Sequence, residues 1–143
     1  MNKDLHNNVE VSHVLTPAAA GTTGTGRASD ILDRQGYGGV EFLIHYGVAA
    51  ATGYAVSILV AEGDVTGTMT SVADASLLGT EALAGLAVQA TTRTSGTGLN
   101  VAKKIGYVGN KRYVQITEVP TGAATGIVGI AAVMYNPHVA PVS

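Results

Sequence analysis

The chain has no cysteine, no tryptophan and a single phenylalanine among its 143 residues. Without cysteine there is no disulfide, no thiolate metal site and no cysteine nucleophile, a composition that fits folding in a reducing cytoplasm. Charge is scarce too. Only 13% of residues are Asp, Glu, Lys or Arg, and the formal net charge is −2, where ordinary domains carry about 25% charged residues. A chain with no basic excess has little with which to neutralise a phosphate backbone, so electrostatic nucleic-acid binding is not expected. Nor is a basic amphipathic helix present to lie on a membrane surface. No apolar run approaches the roughly 18 residues that a membrane helix needs. The opening MNKDLHNNVEV lacks the apolar segment of a signal peptide, so none is expected.

What the chain does have is glycine, 19 residues of it, about twice the usual ~7%, together with abundant Ala, Thr and Val. Such a composition favours short strands joined by turns over long helices. Residues 1–8 read as a polar, flexible arm. Val9, Val11, His13 and Leu15 alternate with Glu10, Ser12, Val14 and Thr16, which predicts a strand ending at Pro17. Ala18 to Gly26 is a small-residue loop, and Ser29 to Tyr37 is either a short strand or one helical turn. Val40, Phe42, Ile44 and Tyr46 share one phase of a period-two pattern, as do Tyr54, Val56, Ile58 and Val60, so residues 39–61 read as a hairpin. TGTMTSVAD is a weak edge strand. Asp74 to Leu83 is the one plausible helix, although Gly79 interrupts it. Leu86 to Thr91 reads as a strand, Thr92 to Gly98 as a polar turn, and residues 137–143 as a tail.

Ile105 to Tyr135 reads as two hairpins in series, with Gly109-Asn110 at one turn and Pro120-Thr121-Gly122 and Gly126 at the next. Its last run is apolar on both faces. Val128, Ile130, Ala132 and Met134 share one face, and Ile127, Ala131, Val133 and Tyr135 the other. One set can fill a core, and an exposed second set would be an unusually apolar patch. About eight strands and almost no helix predict an all-β sandwich or barrel in one domain, residues 9–136.

The chemical motifs are weak. Gly24-Thr25-Gly26 lacks the strand–turn–helix setting of a dinucleotide loop. His6, His13, His45 and His138 are scattered without metal-ligand spacing. Asp30 and Asp33 sit beside Arg34, which favours a turn-stabilising ion pair over a calcium loop. No G-x-S-x-G elbow occurs. The expectation is a non-enzyme with no cofactor and no metal. The one basic cluster is Lys103, Lys104, Lys111 and Arg112, beside Tyr107 and Tyr113. It could stack bases, keep a strand edge soluble or meet an acidic protein surface, and the net charge favours the last two.

DILDRQGYGGVEFLIHYG at 30–47, YAVSILVAEGD at 54–64, IGYVGNKRYVQITEV at 105–119 and the ending PHVAPV at 137–142 together resemble tailed-phage capsid cement (decoration) proteins of the jelly-roll type. The resemblance implies an antiparallel jelly-roll β-sandwich of about eight strands. It also implies a virion protein, made in the host bacterial cytoplasm, that binds the outer surface of an icosahedral shell. Its partner would be the major capsid protein, and such proteins act as small homo-oligomers, dimers or trimers. No catalytic residues are implied. The residues expected at an oligomer or capsid interface are Val128, Ile130, Met134 and Tyr135, with Lys111 and Arg112 at a basic corner. The alternative is a receptor- or carbohydrate-binding β-sandwich of a phage tail or spike, which the lack of tryptophan and shortage of aromatics disfavour.

Overall fold

A computed structural model describes residues 4–48, 52–88, 100–122 and 126–139. Among these residues ten strands run in chain order: β1 (Val9–Ala19), β2 (Arg27–Ala28), β3 (Leu32–Asp33), β4 (Tyr37–Tyr46), β5 (Ala55–Val65), β6 (Thr68–Ser71), β7 (Leu77–Leu78), β8 (Val101–Tyr107), β9 (Tyr113–Thr121) and β10 (Ile127–Pro137). The first sheet has the order β1-β10-β4-β8-β7, and the second β2-β9-β5-β6, with β3 also pairing β9. β2 pairs with β9 at Glu118 and Thr117, and β3 pairs with it at Val114 and Tyr113, so the two short strands share one lane. Counting that lane once, the second sheet has four antiparallel lanes, and the first has four plus the two-residue β7 at its edge beside β8. The chain passes between them after β1, β3, β4, β6, β8 and β9, which is the winding of a jelly roll. The all-β sandwich expected from the sequence is the fold found.

The core lies between the sheets, and the period-two pattern places it. Val40, Phe42, Ile44 and Tyr46 of β4 are buried, as are Val56, Ile58 and Val60 of β5 with Tyr54 just before them. They meet Ile105 and Tyr107 of β8, Val114 and Ile116 of β9, and Val128, Ile130 and Met134 of β10. Burying one such aliphatic or aromatic side chain contributes roughly 1.5–3 kcal/mol relative to leaving it exposed.

Several expectations about connectivity do not survive. β4 and β5 lie in different sheets, and so do β8, β9 and β10 taken in succession, so residues 39–61 and Ile105 to Tyr135 contain sheet-crossing connections and no hairpins. The alternation of side chains is the same in either arrangement. The partner of each strand is chosen by which apolar face needs cover. The expected helix also dissolves into shorter pieces. Asp74–Ser76 is a 3-10 turn, Leu77 and Leu78 pair with Tyr107 and Gly106, and only Glu81–Ala84 is helical (α1). Gly79, at φ +93°, turns the chain there, and the Thr80 hydroxyl accepts the Leu83 N–H at 3.1 Å to cap α1.

β1 passes through Pro17 and ends at Ala19, and register shifts between His13 and Leu15 and between Leu15 and Ala18 break its alternation. Val14 and Leu15 are both buried as a result, while Val11 is 67% exposed. A bulge inserts an extra residue and inverts the phase that follows it. Of the expected arm, residues 4–8 carry a 3-10 turn at His6–Asn8, tied by Asp4, which accepts the Asn7 N–H at 3.2 Å. Ser29–Tyr37 holds β3 and no helix. Leu86 bridges Val56. The remainder of the expected strand at 86–91, from residue 89, the turn at 92–98 and the tail beyond residue 139 lie outside the described residues.

Candidate interaction surface

The basic corner is built around the five-residue connection between β8 and β9. Arg34 reaches it from just after β3. Its guanidinium donates to the carbonyls of Lys111 (2.7 Å), Gly109 (2.5 Å) and Tyr37 (2.8 Å), with its carbon 5.3 Å from the Tyr107 ring centroid. The Tyr107 hydroxyl donates to Glu62 and accepts the Lys111 N–H. Burial, followed by the Glu62 bond, pushes that hydroxyl up to about 12. Arg34 thus acts as a bolt for a turn whose carbonyls would otherwise lack donors.

The two cations expected to meet a partner are already occupied. Lys111 Nζ lies 2.6 Å from Asp64, and Arg112 forks onto both oxygens of Asp33 at 2.6–3.1 Å while stacking 4.9 Å from the Tyr113 ring. The hydrogen bonds from these cations hold Asp64 and Asp33 below the usual carboxylate range. Lys103 is drawn away from the cluster, donating to the Leu83 and Gly85 carbonyls. Lys104 lies 3.9 Å from Glu41. The corner is therefore charge-balanced, a surface of ion pairs and not a free cationic patch.

A second charged junction was not foreseen from the sequence. Glu118, fully buried, falls in the inward phase of β9 with Val114 and Ile116. One of its oxygens accepts Arg27 Nε at 2.9 Å and the Gly21 N–H at 2.8 Å. The rest of the Arg27 guanidinium donates to the carbonyls of Thr16, Ala18 and Val128. One arginine thus joins β1, β9 and β10 and closes the side of the sandwich. Glu118 Oε2 and the Tyr54 hydroxyl have no partner among the described residues. Burial first, and then the charge of Glu118, pushes Tyr54 up to about 12. The available signal was a carboxylate in phase with buried neighbours, a pattern that demands a buried cation or donors.

Of the expected interface residues, Val128, Ile130 and Met134 belong to the core, at 0%, 2% and 3% exposure. Their face of β10 looks inward at the second sheet, so they are unavailable to a partner, and this corrects the expectation. Tyr135 lies on the opposite, outer face. Its ring sits over Gly39, where an added Cβ would come within 2.4 Å of it.

That outer face of the first sheet is the surface left over. Cross-strand registers set Val11 beside Val133 and Glu41, and His13 beside Ala131 and Leu43, with Lys104 next in that row. Leu78 continues the first row past Gly106 at 49% exposure. Val11, Val133, Ala131 and Leu43 thus stand together on this face, with Glu41 and His45 flanking Leu43 along β4 and Lys104 opposite it on β8. Burial in this neighbourhood raises Glu41 against the opposing pull of Lys104. Toward one end, Pro17, His45, Ala102, Ile127 and Gly129 line a depression of about 250 Å³. Pro17 can lie over Gly129 because a Cβ there would come within 2.7 Å of it. Such a face offers shape and apolar area, and among the described residues no group of three or more His, Asp or Glu side chains could hold a metal ion.

No protein-family model matches this sequence, and no curated protein matches it.

Proposed function

We propose that this chain is a non-enzymatic capsid decoration protein, binding the outside of a tailed-phage shell and stabilising it. The observation that carries the reading is the outer face of the first sheet, where Val11, Ala131, Val133 and Leu43 stand together on strands already covered on their other side by the core. Burial of both faces of a sheet is the condition for such side chains, and a docking partner supplies the second cover. The resemblance of residues 30–47, 54–64 and 105–119 to cement proteins supports a major capsid protein as the partner, and the jelly roll agrees with that reading.

The physics of cementing is linkage. A protein that binds only the assembled shell stabilises it by RT ln(1 + [L]/Kd) per site, about 2.7 kcal/mol at a hundredfold excess over Kd. Repeated over many positions, modest affinity becomes mechanical reinforcement. The test is to incubate purified protein with empty expanded capsids, sediment them and heat them. Saturable co-sedimentation and a higher rupture temperature are expected. Absence of both overturns the reading.

A further inference from the structure

The edges of the two sheets are unequal. β2, β3 and β7 have two residues each and β6 has four, and α1 lies against β8, whose Lys103 reaches the α1 carbonyl of Leu83. β1, with eleven residues, is the long edge. Its second half is closed. Asp30 N–H donates to the Val14 carbonyl at 2.9 Å, and Arg27 donates to those of Thr16 and Ala18 at 3.1 and 3.3 Å. Two register shifts and Pro17 further spoil that half as a template. Its first half, Val9 to His13, pairs with β10 without a shift, and its outward-pointing backbone groups have no partner among the described residues. No lysine, proline or bulge protects it, although an exposed edge ordinarily carries one of these.

We infer that the Val9–His13 edge pairs antiparallel with the same edge of a second copy of this chain. The segment Val-Glu-Val-Ser-His suits a two-fold axis through Val11. Val11 then faces its own counterpart, Glu10 faces the counterpart of Ser12, and Val9 that of His13, so no like charges oppose each other. Self-pairing also sets the two exposed Val11 side chains against each other and joins the apolar outer faces of the two first sheets into one surface. A mixed pairing with another protein gains neither benefit. The inference rests on the edge alone and is independent of the capsid reading.

The test is sedimentation of the full chain without capsid, at about 100 μM, well above a micromolar Kd. The expected particle has twice the 14.4 kDa chain mass. Val11→Lys sets two ammonium groups face to face at the axis. It should raise the dimer Kd at least tenfold, with the far-UV spectrum unchanged and the melting temperature unchanged at dilutions where both chains are monomers, since Val11 lies outside the core. A wild-type mass of one chain overturns the inference, and so does a folded V11K that dimerises as tightly as wild type. If V11K misfolds, amide exchange on the unaltered chain decides. Exchange at residues 9–13 that slows as concentration rises supports the pairing, and exchange there that is independent of concentration overturns it.

Discussion

The two sheets present inner faces of the same kind and outer faces of different kinds. Inside, β4 and β10 of the first sheet are as apolar as β5 of the second. Outside, the first sheet carries Val11 on its edge strand and Val133, Ala131 and Leu43 further in, with Glu41 and Lys104 in the same rows. The second has rows of Ala28–Thr117–Leu59 and Gln115–Ala61–Ser71, with Ser57 opposite Val119. Leu59, at 50% exposure, stands among hydroxyls, an amide and small side chains. A sandwich needs only its inner faces to fold. Apolarity on one outer face therefore reports something that folding does not require.

That comparison is meaningful only while the two sheets stay together, and the Arg27–Glu118 junction is where they are clamped. Glu118→Ala should have the largest effect of any change considered, about 3–5 kcal/mol of stability by urea unfolding. It removes the carboxylate that accepts from Arg27 Nε and from the Gly21 N–H, leaving Arg27 only its backbone carbonyl partners. A loss under about 1 kcal/mol would mean the clamp is idle. The comparison itself breaks or holds on a matched pair. Leu43→Glu on the first sheet should lower capsid affinity at least tenfold, about 1.4 kcal/mol. Leu59→Glu on the second should leave it unchanged. Equal effects from both would erase the distinction between the faces.

Smaller effects separate buried from exposed polar groups. Tyr54 and Tyr107 have folded-state values raised to about 12 from 10.0. A raised acid holds its proton more tightly when folded, so this stability is complete below pH 10 and lost as pH climbs through about 12. Absorbance at 295 nm should show Tyr54 and Tyr107 ionising only well above pH 10, together with unfolding. Ionisation of all tyrosines near pH 10 in folded protein would contradict their burial. Lys111→Ala should change urea stability least of all, because the Lys111–Asp64 pair is exposed and screened by solvent. Asp64 and Asp33 are lowered in the fold, so the contribution of their pairs is present above pH 3.8 and fades as pH falls through the lowered values. An unchanged acid limb in Lys111→Ala would show that the pair adds nothing.

The sequence made strand phase legible where alternation is strict, as at Val40 to Tyr46 and Tyr54 to Val60, since burial follows the period of two directly. Pairing was not legible. Gly109-Asn110 looks like a hairpin turn, yet its connection crosses between sheets, and its carbonyls are tied by Arg34, 75 residues from Gly109. The phase of β1 was hidden because a bulge leaves no mark in composition. At β10 the sequence offered two apolar faces and no means to choose between them. Val128, Ile130 and Met134 turned inward because β9 and β5 stand across from them, a fact of topology. Glu118 could have been found, being the one carboxylate within an apolar phase of β9, but its cation Arg27 lies 91 residues away.

The proposed docking of the first sheet's outer face on a capsid is open to direct imaging. The direct measurement is an image reconstruction of empty tailed-phage capsids incubated with this protein. The expected result is added density at capsomer junctions, fitted by the sandwich with Leu43, Ala131 and Val133 toward the shell. Density with the second sheet against the shell, or bare capsids at saturating protein, would contradict it.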